Sequence, residues 1–449
     1  MIKNYLTTIF RAVLRDKLFS FINILGMAVG MAVFLLIIFW IKGETTFDSF
    51  NKNADNIYRV ERHFHYHDFN VEMPITSPPY GRKMVEVFPE VIRSIRLHPV
   101  ELSLRDENNI YRKNKVFFAD SNIFQSFTFP LLKGNSETAL SMPNTAVFSI
   151  NAAHKYFGRI PEPGESISME YDNTIVELEI TGIMENIPAN SHFHPEIFIS
   201  FNTLYHFMGD RLGNWQNNFI YSYIELEKGA DTQKFRNALP GFLKNFVTEA
   251  YSNIINPGDD INDVITLKIK KITDIHLHSN LEFELEKNGN ISMIYIFSAV
   301  AFLILLIAII NFINLTTAKS GTRFLEIGVR KMAGANRKHL IKQLLGEAVL
   351  MSVLSFCLSI LIIDFAKPIY QNLTGVIFNW SFITEFPNNV YVVSFVLFTG
   401  VIAGIYPAFI LSSFNPSRLL KWSEFKTKSG FSLRKGLVIF QFFKLKFQI

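Results

Sequence analysis

Four stretches of the chain carry no charge over most of a bilayer-length run: Phe19–Ile41, Ile294–Leu315, Ala348–Ile363 and Val390–Phe414. A helix needs roughly 20 such residues to cross the hydrocarbon core. Between Ile294 and Leu315 stand fifteen residues of the Ile, Leu, Val and Phe type. Near mid-membrane these favour insertion by roughly −5 to −9 kcal/mol. Asn311 and Asn314 subtract from that without reversing it. The third run is the shortest and extends back past Glu347 to Leu344. The pattern predicts four transmembrane helices, over 19–41, 292–318, 343–366 and 390–414.

Between the first and second runs the period changes. Strand-like segments include Ile57–Arg62, Val116–Phe118, Ala146–Ser149, Ile175–Ile183, Phe219–Leu226 and Ile265–Ile269, with helical signals between some of them. Gly158 after Asn151–Phe157 reads as a helix stop. Residues 42–291 are long enough for a folded domain, and mixed strands and helices predict an α+β class. Two lobes are expected, with a break near Pro188 to Phe198. Residues 1–18 read as an amphipathic helix on Ile2, Tyr5, Leu6, Ile9, Phe10, Val13 and Leu14. It would lie along the inner membrane surface or serve as a topogenic anchor. In the first span, Gly26 and Gly30 have the GxxxG spacing that admits a close neighbour helix. Pro407 should kink or locally break the fourth span.

Charge orients the chain. The first run exceeds a signal-peptide core and lacks a small-residue cleavage site after it. Lys3, Arg11, Arg15 and Lys17 precede it; seven Lys and Arg lie in 319–342; eight more follow Phe414. The connection Lys367–Asn389 carries one Lys and one Glu. Basic residues stay inside, so the N-terminus, residues 319–342 and the tail 415–449 are cytoplasmic and 42–291 is outside. Residues 42–291 hold 24 Lys and Arg against 33 Asp and Glu, a net of −9; the remainder is +14. The sequence pI near 9.0 therefore reports topology and does not imply a nucleic-acid partner. Cys357 is the single cysteine, so no intrachain disulfide forms.

Chemical motifs are sparse. No G-x-x-x-x-G-K-[ST], G-x-S-x-G or H-E-x-x-H occurs in these 449 residues, so the chain has no P-loop for ATP phosphates and no recognisable hydrolase site. His63, His65 and His67 fall on one face of a strand, a pattern compatible with a metal but expected here to be a solvated strand face. His192/His194 and His276/His278 are weaker. No metal, cofactor or catalytic residue is assigned. Glu347 and Asp364 flank the third span near the interfaces, and the several deep acids of a proton relay are missing.

Lys319 to Lys342 read KSGTRFLEIGVRKMAGANRKHLIK, a basic segment between two apolar runs, too polar for the bilayer and too short to fold alone. It contains Glu326-Ile327-Gly328-Val329-Arg330-Lys331-Met332-Ala333-Gly334-Ala335, preceded by Asn311-Phe312-Ile313-Asn314-Leu315 and followed by Gln343–Glu347. With Glu44, Phe47-Asp48, Ile57-Tyr58-Arg59, Asn190-Ser191-His192, Asp274–His278 and Tyr406-Pro407-Ala408-Phe409, this resembles the permease subunits of the FtsX/MacB-like class of ABC transporters over nearly the whole chain. The resemblance implies a MacB-type core domain between spans one and two. It also implies a separate ABC ATPase that holds the ATP and Mg. That subunit would press on Glu326, Ile327, Gly328, Val329, Arg330, Lys331, Gly334 and Ala335. Gly26, Gly30, Asn311 and Asn314 would pack the first two spans.

Further expectations are an inner-membrane location, the lipid bilayer as environment, a second permease copy or half-permease, and room for a periplasmic adaptor. The expected function is a permease coupling ATP hydrolysis by its partner to export or to mechanotransmission. The alternative is a membrane-anchored extracytoplasmic sensor, or a regulator of cell-envelope enzymes, without transport. Leu433–Phe442 resemble the start of a second repeat, which would make 415–449 the truncated beginning of another half.

Overall fold

The apolar runs form four helices long and apolar enough, by length and composition, to cross a membrane. A computed structural model describes residues 16–66, 68–105, 111–256, 258–376 and 378–413. The expected surface helix over residues 1–18, His67, and the tail with its second-repeat signal lie wholly or mainly outside these. The chain divides into two compact units, Gly43–Ile291 and the remainder.

Helix α1 (Lys17–Thr45) leads into the first of these units. Its secondary structure begins with strands β1 (Ile57–Tyr66) and β2 (Phe69–Met73) and helix α2 (Pro79–Val87). Next come β3 (Val91–Arg105), β4 (Tyr111–Ala119), β5 (Leu131–Lys133), β6 (Thr145–Ser149) and α3 (Ile150–Phe157). Ser149 caps α3 by accepting from the Ala152 amide, and Gly158 ends it at φ 62°, a left-handed stop that glycine adopts without strain. The unit continues with β7 (Ser166–Tyr171), β8 (Thr174–Met184), β9 (Ile197–Ser200), β10 (Tyr221–Leu226) and α4 (Thr232–Phe246). It closes with β11 (Ile265–Lys271) and α5 (Ile272–His278).

All eleven strands belong to one mixed sheet, whose main path runs β11-β1-β10-β3-β4-β9-β6-β8-β5. The expected break near Pro188 to Phe198 is not there. β9 begins at its end and lies mid-sheet, parallel to β4 and antiparallel to β6. A strand of four buried residues, IFIS, has no alternation to reveal it and fits between neighbours far away in sequence. The long β3 also went unread. Its pattern is interrupted by Arg93 and Arg96, which ion pairs carry into the fold. Three apolar clusters fill the unit. One is rich in phenylalanine around Phe117, Phe127, Phe193 and Phe198; another lies under α3; the third lies between the sheet and α2 and α4.

The other unit contains α1 and helices α6 (Ile291–Ala318), α7 (Ser320–Met332), α8 (Arg337–Thr374) and α9 (Asn388–Ser413). The third apolar run, Ala348–Ile363, is the shortest of the four, yet the helix that holds it is the longest of the four apolar helices, at 38 residues. At 1.5 Å per residue this is about 57 Å, nearly twice the hydrocarbon thickness. Arg337, Lys338 and Lys342 are good helix formers, and Asn336 caps them by accepting from the Lys338 amide. Polarity marks where the membrane ends, not where the helix does. At the far end Lys367–Thr374, expected in a connection, are still helical and stop at Gly375, φ 69°. Helix α9 runs through Pro407 to Ser413 instead of breaking there, as membrane helices often do when neighbours absorb the lost hydrogen bond.

Candidate functional site

The segment Lys319–Lys342 folds as α7, a tight turn, and the first turn of α8. Its turn is a Schellman motif. The Ala335 amide donates to the Arg330 carbonyl and the Gly334 amide to the Lys331 carbonyl, both at 3.0 Å. Gly334 sits at φ 93°, where a β-carbon is strained.

One face of α7 is fixed. Ile327, Leu340 of α8 and Leu411 of α9 bury together, with Ala335 and Leu344 against them. Gly328 is also buried. Lys331 Nζ donates to the Ser412 carbonyl at 2.7 Å, satisfying a helix-end acceptor. Arg330 donates from Nη2 to Glu326 Oε1 at 2.7 Å and from Nη1 to Gln343 Oε1 at 2.9 Å. Gln343 Nε2 donates in turn to Glu347 Oε1 at 3.3 Å. A polar chain thus runs from α7 to a buried carboxylate on α8; Glu347 is not merely an interfacial charge. The opposite face leaves Val329 and Met332 exposed, at 59% and 69%.

The GxxxG residues of α1 meet α6. A Cβ built on Gly30 would stand 2.5 Å from Ala308 Cβ, and one on Gly26 would stand 3.2 Å from Asn311 Nδ2. Asn314 Oδ1 is buried with no hydrogen-bond partner among the described residues. A second seam of the same kind escaped the sequence reading. Gly400 and Gly404 of α9 bring that helix against Val349 and Ala348 of α8, with built Cβ atoms at 2.8 and 2.6 Å. Ser352 Oγ crosses it to the Val396 carbonyl at 2.7 Å. The spacing Gly-x-x-x-Gly was the available signal.

In the sheet-bearing unit, motif fragments scattered along the sequence converge. Arg59 is wholly buried and clasps Glu284 through Nη1 (2.5 Å) and Nη2 (2.9 Å), with Glu61 at 2.8 Å. Asp48 pairs with His192 Nδ1 at 2.8 Å; His192 Nε2 meets the Tyr223 hydroxyl at 2.7 Å. His276 Nε2 pairs with Glu44 at 2.7 Å, and the Phe47 ring stacks on its imidazole. His194 Nδ1 pairs with Glu286 at 2.8 Å. Burial pushes the Glu284 carboxyl up, yet hydrogen bonds from Arg59 and Ser279 hold it below its ordinary value. Burial acts likewise on Glu286, where the His194 bond wins and lowers it; His194 itself is raised, the Glu286 bond overcoming burial. These contacts tie the segment that follows α1 to the segment that precedes α6. His63 also has a carboxylate partner, Glu72 at 2.7 Å. No group of three metal-ligating side chains exists among the described residues.

Two family models match the chain: the MacB-like periplasmic core domain over residues 20–241 and the FtsX-like permease C-terminal domain over residues 298–416. The chain belongs to the FtsX/MacB-like family of ABC transporter permeases. The permease has the family's arrangement, an α+β domain between the first and second of four apolar helices. Members are membrane components rather than catalysts, and the family implies an ABC ATPase partner. No curated protein matches the sequence.

Among solved structures, the permease is similar to a domain of a permease protein from Porphyromonas gingivalis, at 18% identity and a TM-score of 0.38, covering 49% of this chain and 92% of that one. It is similar to the periplasmic region of MacB from Actinobacillus actinomycetemcomitans, at 8% identity and 0.33, covering 49% and 91%. It is also similar to the extracellular domain of the ABC-type transporter YknZ from Gram-positive bacteria, at 12% identity and 0.31, covering 47% and 100%. The family assignment rests on the two matched models.

Proposed function

We propose that this permease couples ATP hydrolysis by a separate ATPase subunit to export or to mechanical work on its outer domain, with α7 as the receiving element. One observation carries the reading: α7 is clamped to α8 and α9 through Ile327 and Lys331, while Val329 and Met332 are left exposed by the described residues. A helix held on one side and open on the other passes an applied push to its holders. The Glu326–Arg330–Gln343–Glu347 chain stiffens that link, because each bond is charge-assisted or shares a half-buried, low-dielectric setting.

In this reading ATP and Mg belong to the partner, and the chain binds no cofactor itself. The basic residues place α7 and the N-terminus in the cytoplasm of an inner-membrane protein, leaving Gly43–Ile291 in the periplasm. A second permease copy or half-permease completes the assembly, and a periplasmic adaptor has access to the outer domain.

The test is co-purification with a candidate ATPase and measurement of its ATP turnover in the membrane complex. Glu326→Lys and Gly334→Val should leave insertion intact and separate ATP turnover from transport. Normal transport in both variants would refute the assignment of α7.

A further inference from the structure

Hydroxyl side chains in the apolar helices ordinarily satisfy themselves by donating back along the helix. Thr317 donates to the Ile313 carbonyl at 2.8 Å, Ser355 to that of Met351 at 2.7 Å and Thr399 to that of Phe395 at 2.8 Å. Ser352 reaches instead to a neighbouring helix. Thr316 of α6 does neither. Its Oγ1 is buried with no hydrogen-bond partner among the described residues. In an apolar setting such a hydroxyl is destabilising unless something else bonds to it.

Thr316 lines a cavity of about 20 Å³ inside the helical unit. Glu347 of α8 lines it too, as do Gly404 and Pro407 of α9, and the remaining wall is apolar, Phe312 and Met351 included. Glu347 is buried and accepts from Gln343 Nε2 at 3.3 Å. Pro407 lies inside α9 and has no amide hydrogen. The Ala403 carbonyl, one turn earlier, therefore loses its ordinary helical donor. Gly404 and Pro407 belong to that turn. Three helices thus bring polar groups to one small space: a hydroxyl, a carboxylate and the turn of α9 with a freed carbonyl.

A buried water needs about 10–15 Å³ and two to four polar partners. The cavity meets both conditions, with room for one molecule. It is too small for an organic ligand, and its few oxygens fall short of the shell of about six that a hard divalent cation takes. We propose that the cavity holds one ordered water, which accepts from the Thr316 hydroxyl and donates to the Glu347 carboxylate and to the freed carbonyl of α9. Ordered waters are one of the ways membrane helices absorb a proline. This water also extends the polar chain Glu326–Arg330–Gln343–Glu347 to α6. The site stands whether or not α7 receives an ATPase; on the coupling reading, it adds α6 to the helices that a push on α7 reaches.

The experiment uses the full chain in lipid nanodiscs and needs no ATPase. Thr316→Val keeps the shape and deletes the hydroxyl. If the hydroxyl holds a water, the thermal unfolding midpoint falls by about 2–4 °C. Deleting a hydroxyl that bonds to nothing raises the midpoint instead, so a rise or no change overturns the proposal. An experimental structure at a resolution that shows ordered waters should place one within hydrogen-bond distance of Thr316 Oγ1 and a Glu347 oxygen, in the wild type and in Thr316→Ser, and none in Thr316→Val. A dry cavity in the wild type overturns the proposal, and decides the matter alone if Thr316→Val does not insert. A midpoint that rises when sodium chloride replaces choline chloride at equal ionic strength, in the wild type but not in Thr316→Val, would put a cation in the cavity and overturn it as well.

Discussion

Replacing Arg59 by methionine should be among the most damaging single changes in the outer domain. The side chain is fully buried, and its partners Glu284 and Glu61 are only 11% and 3% exposed. Methionine fills similar space but leaves two carboxylates without their counter-charge. Breaking a buried pair from one side costs about 3–5 kcal/mol. For a cooperative unit of this size, each kcal/mol moves the midpoint by roughly 2 °C, so a fall of roughly 6–10 °C follows. Thermal unfolding of the full chain in detergent measures it, with hydrogen exchange at β1, β10 and β11 as the local readout. The double variant Arg59→Met/Glu284→Leu should recover about half of the loss, because pairwise coupling makes neighbouring changes non-additive. A single-variant loss under about 1 kcal/mol, or strictly additive changes in the double, would refute the account of the network.

Two further outcomes are expected. Gly30→Val puts a branched side chain where even a Cβ would stand 2.5 Å from Ala308. It should destabilise the helix bundle by about 1–3 kcal/mol, with partial rescue by Ala308→Gly; no loss in detergent-unfolding assays would mean that α1 and α6 do not pack here. The His194–Glu286 pair should stabilise the fold most between about pH 4.5 and 6.5. The carboxyl is depressed from 4.5, so its contribution is complete above that value and lost as pH falls through the lowered one. The imidazole is raised from 6.5, so its contribution is complete below that value and lost as pH rises through the raised one. A wild-type minus His194→Gln difference in unfolding temperature that stays flat from pH 5 to 9 would contradict this.

Much of the membrane unit was legible because apolar runs and basic flanks report burial in lipid directly. The hairpin turn could be read too: Gly334 after a helical stretch is a local signal, and the left-handed φ follows from it. Partners were not legible. Arg59 and Glu284 are 225 residues apart in sequence, and nothing in one sequence says that a basic strand residue will meet that glutamate. The third helix was underestimated because hydropathy locates the membrane and α8 continues past it at both ends. β9 hid because four consecutive buried residues show no period. Gly400 and Gly404 were visible as a spacing, but only the packed structure names Ala348 and Val349 as what they admit.

Helix α8 follows the α7 turn directly and continues for about 57 Å, with Pro368 removing one backbone hydrogen bond near its far end. Up to that point it behaves as a lever. Bending a helix within its hydrogen-bonded length is costly, so a tilt imposed near Arg337 reappears near Lys367, just before Pro368 interrupts the ladder. Over that length, about 46 Å, a tilt of about 5° swings the far end by about 4 Å, most of the pitch of a helical turn. On the proposed coupling role, a small movement where Ile327 meets Leu340 would thus be carried along the helix and enlarged at its far end.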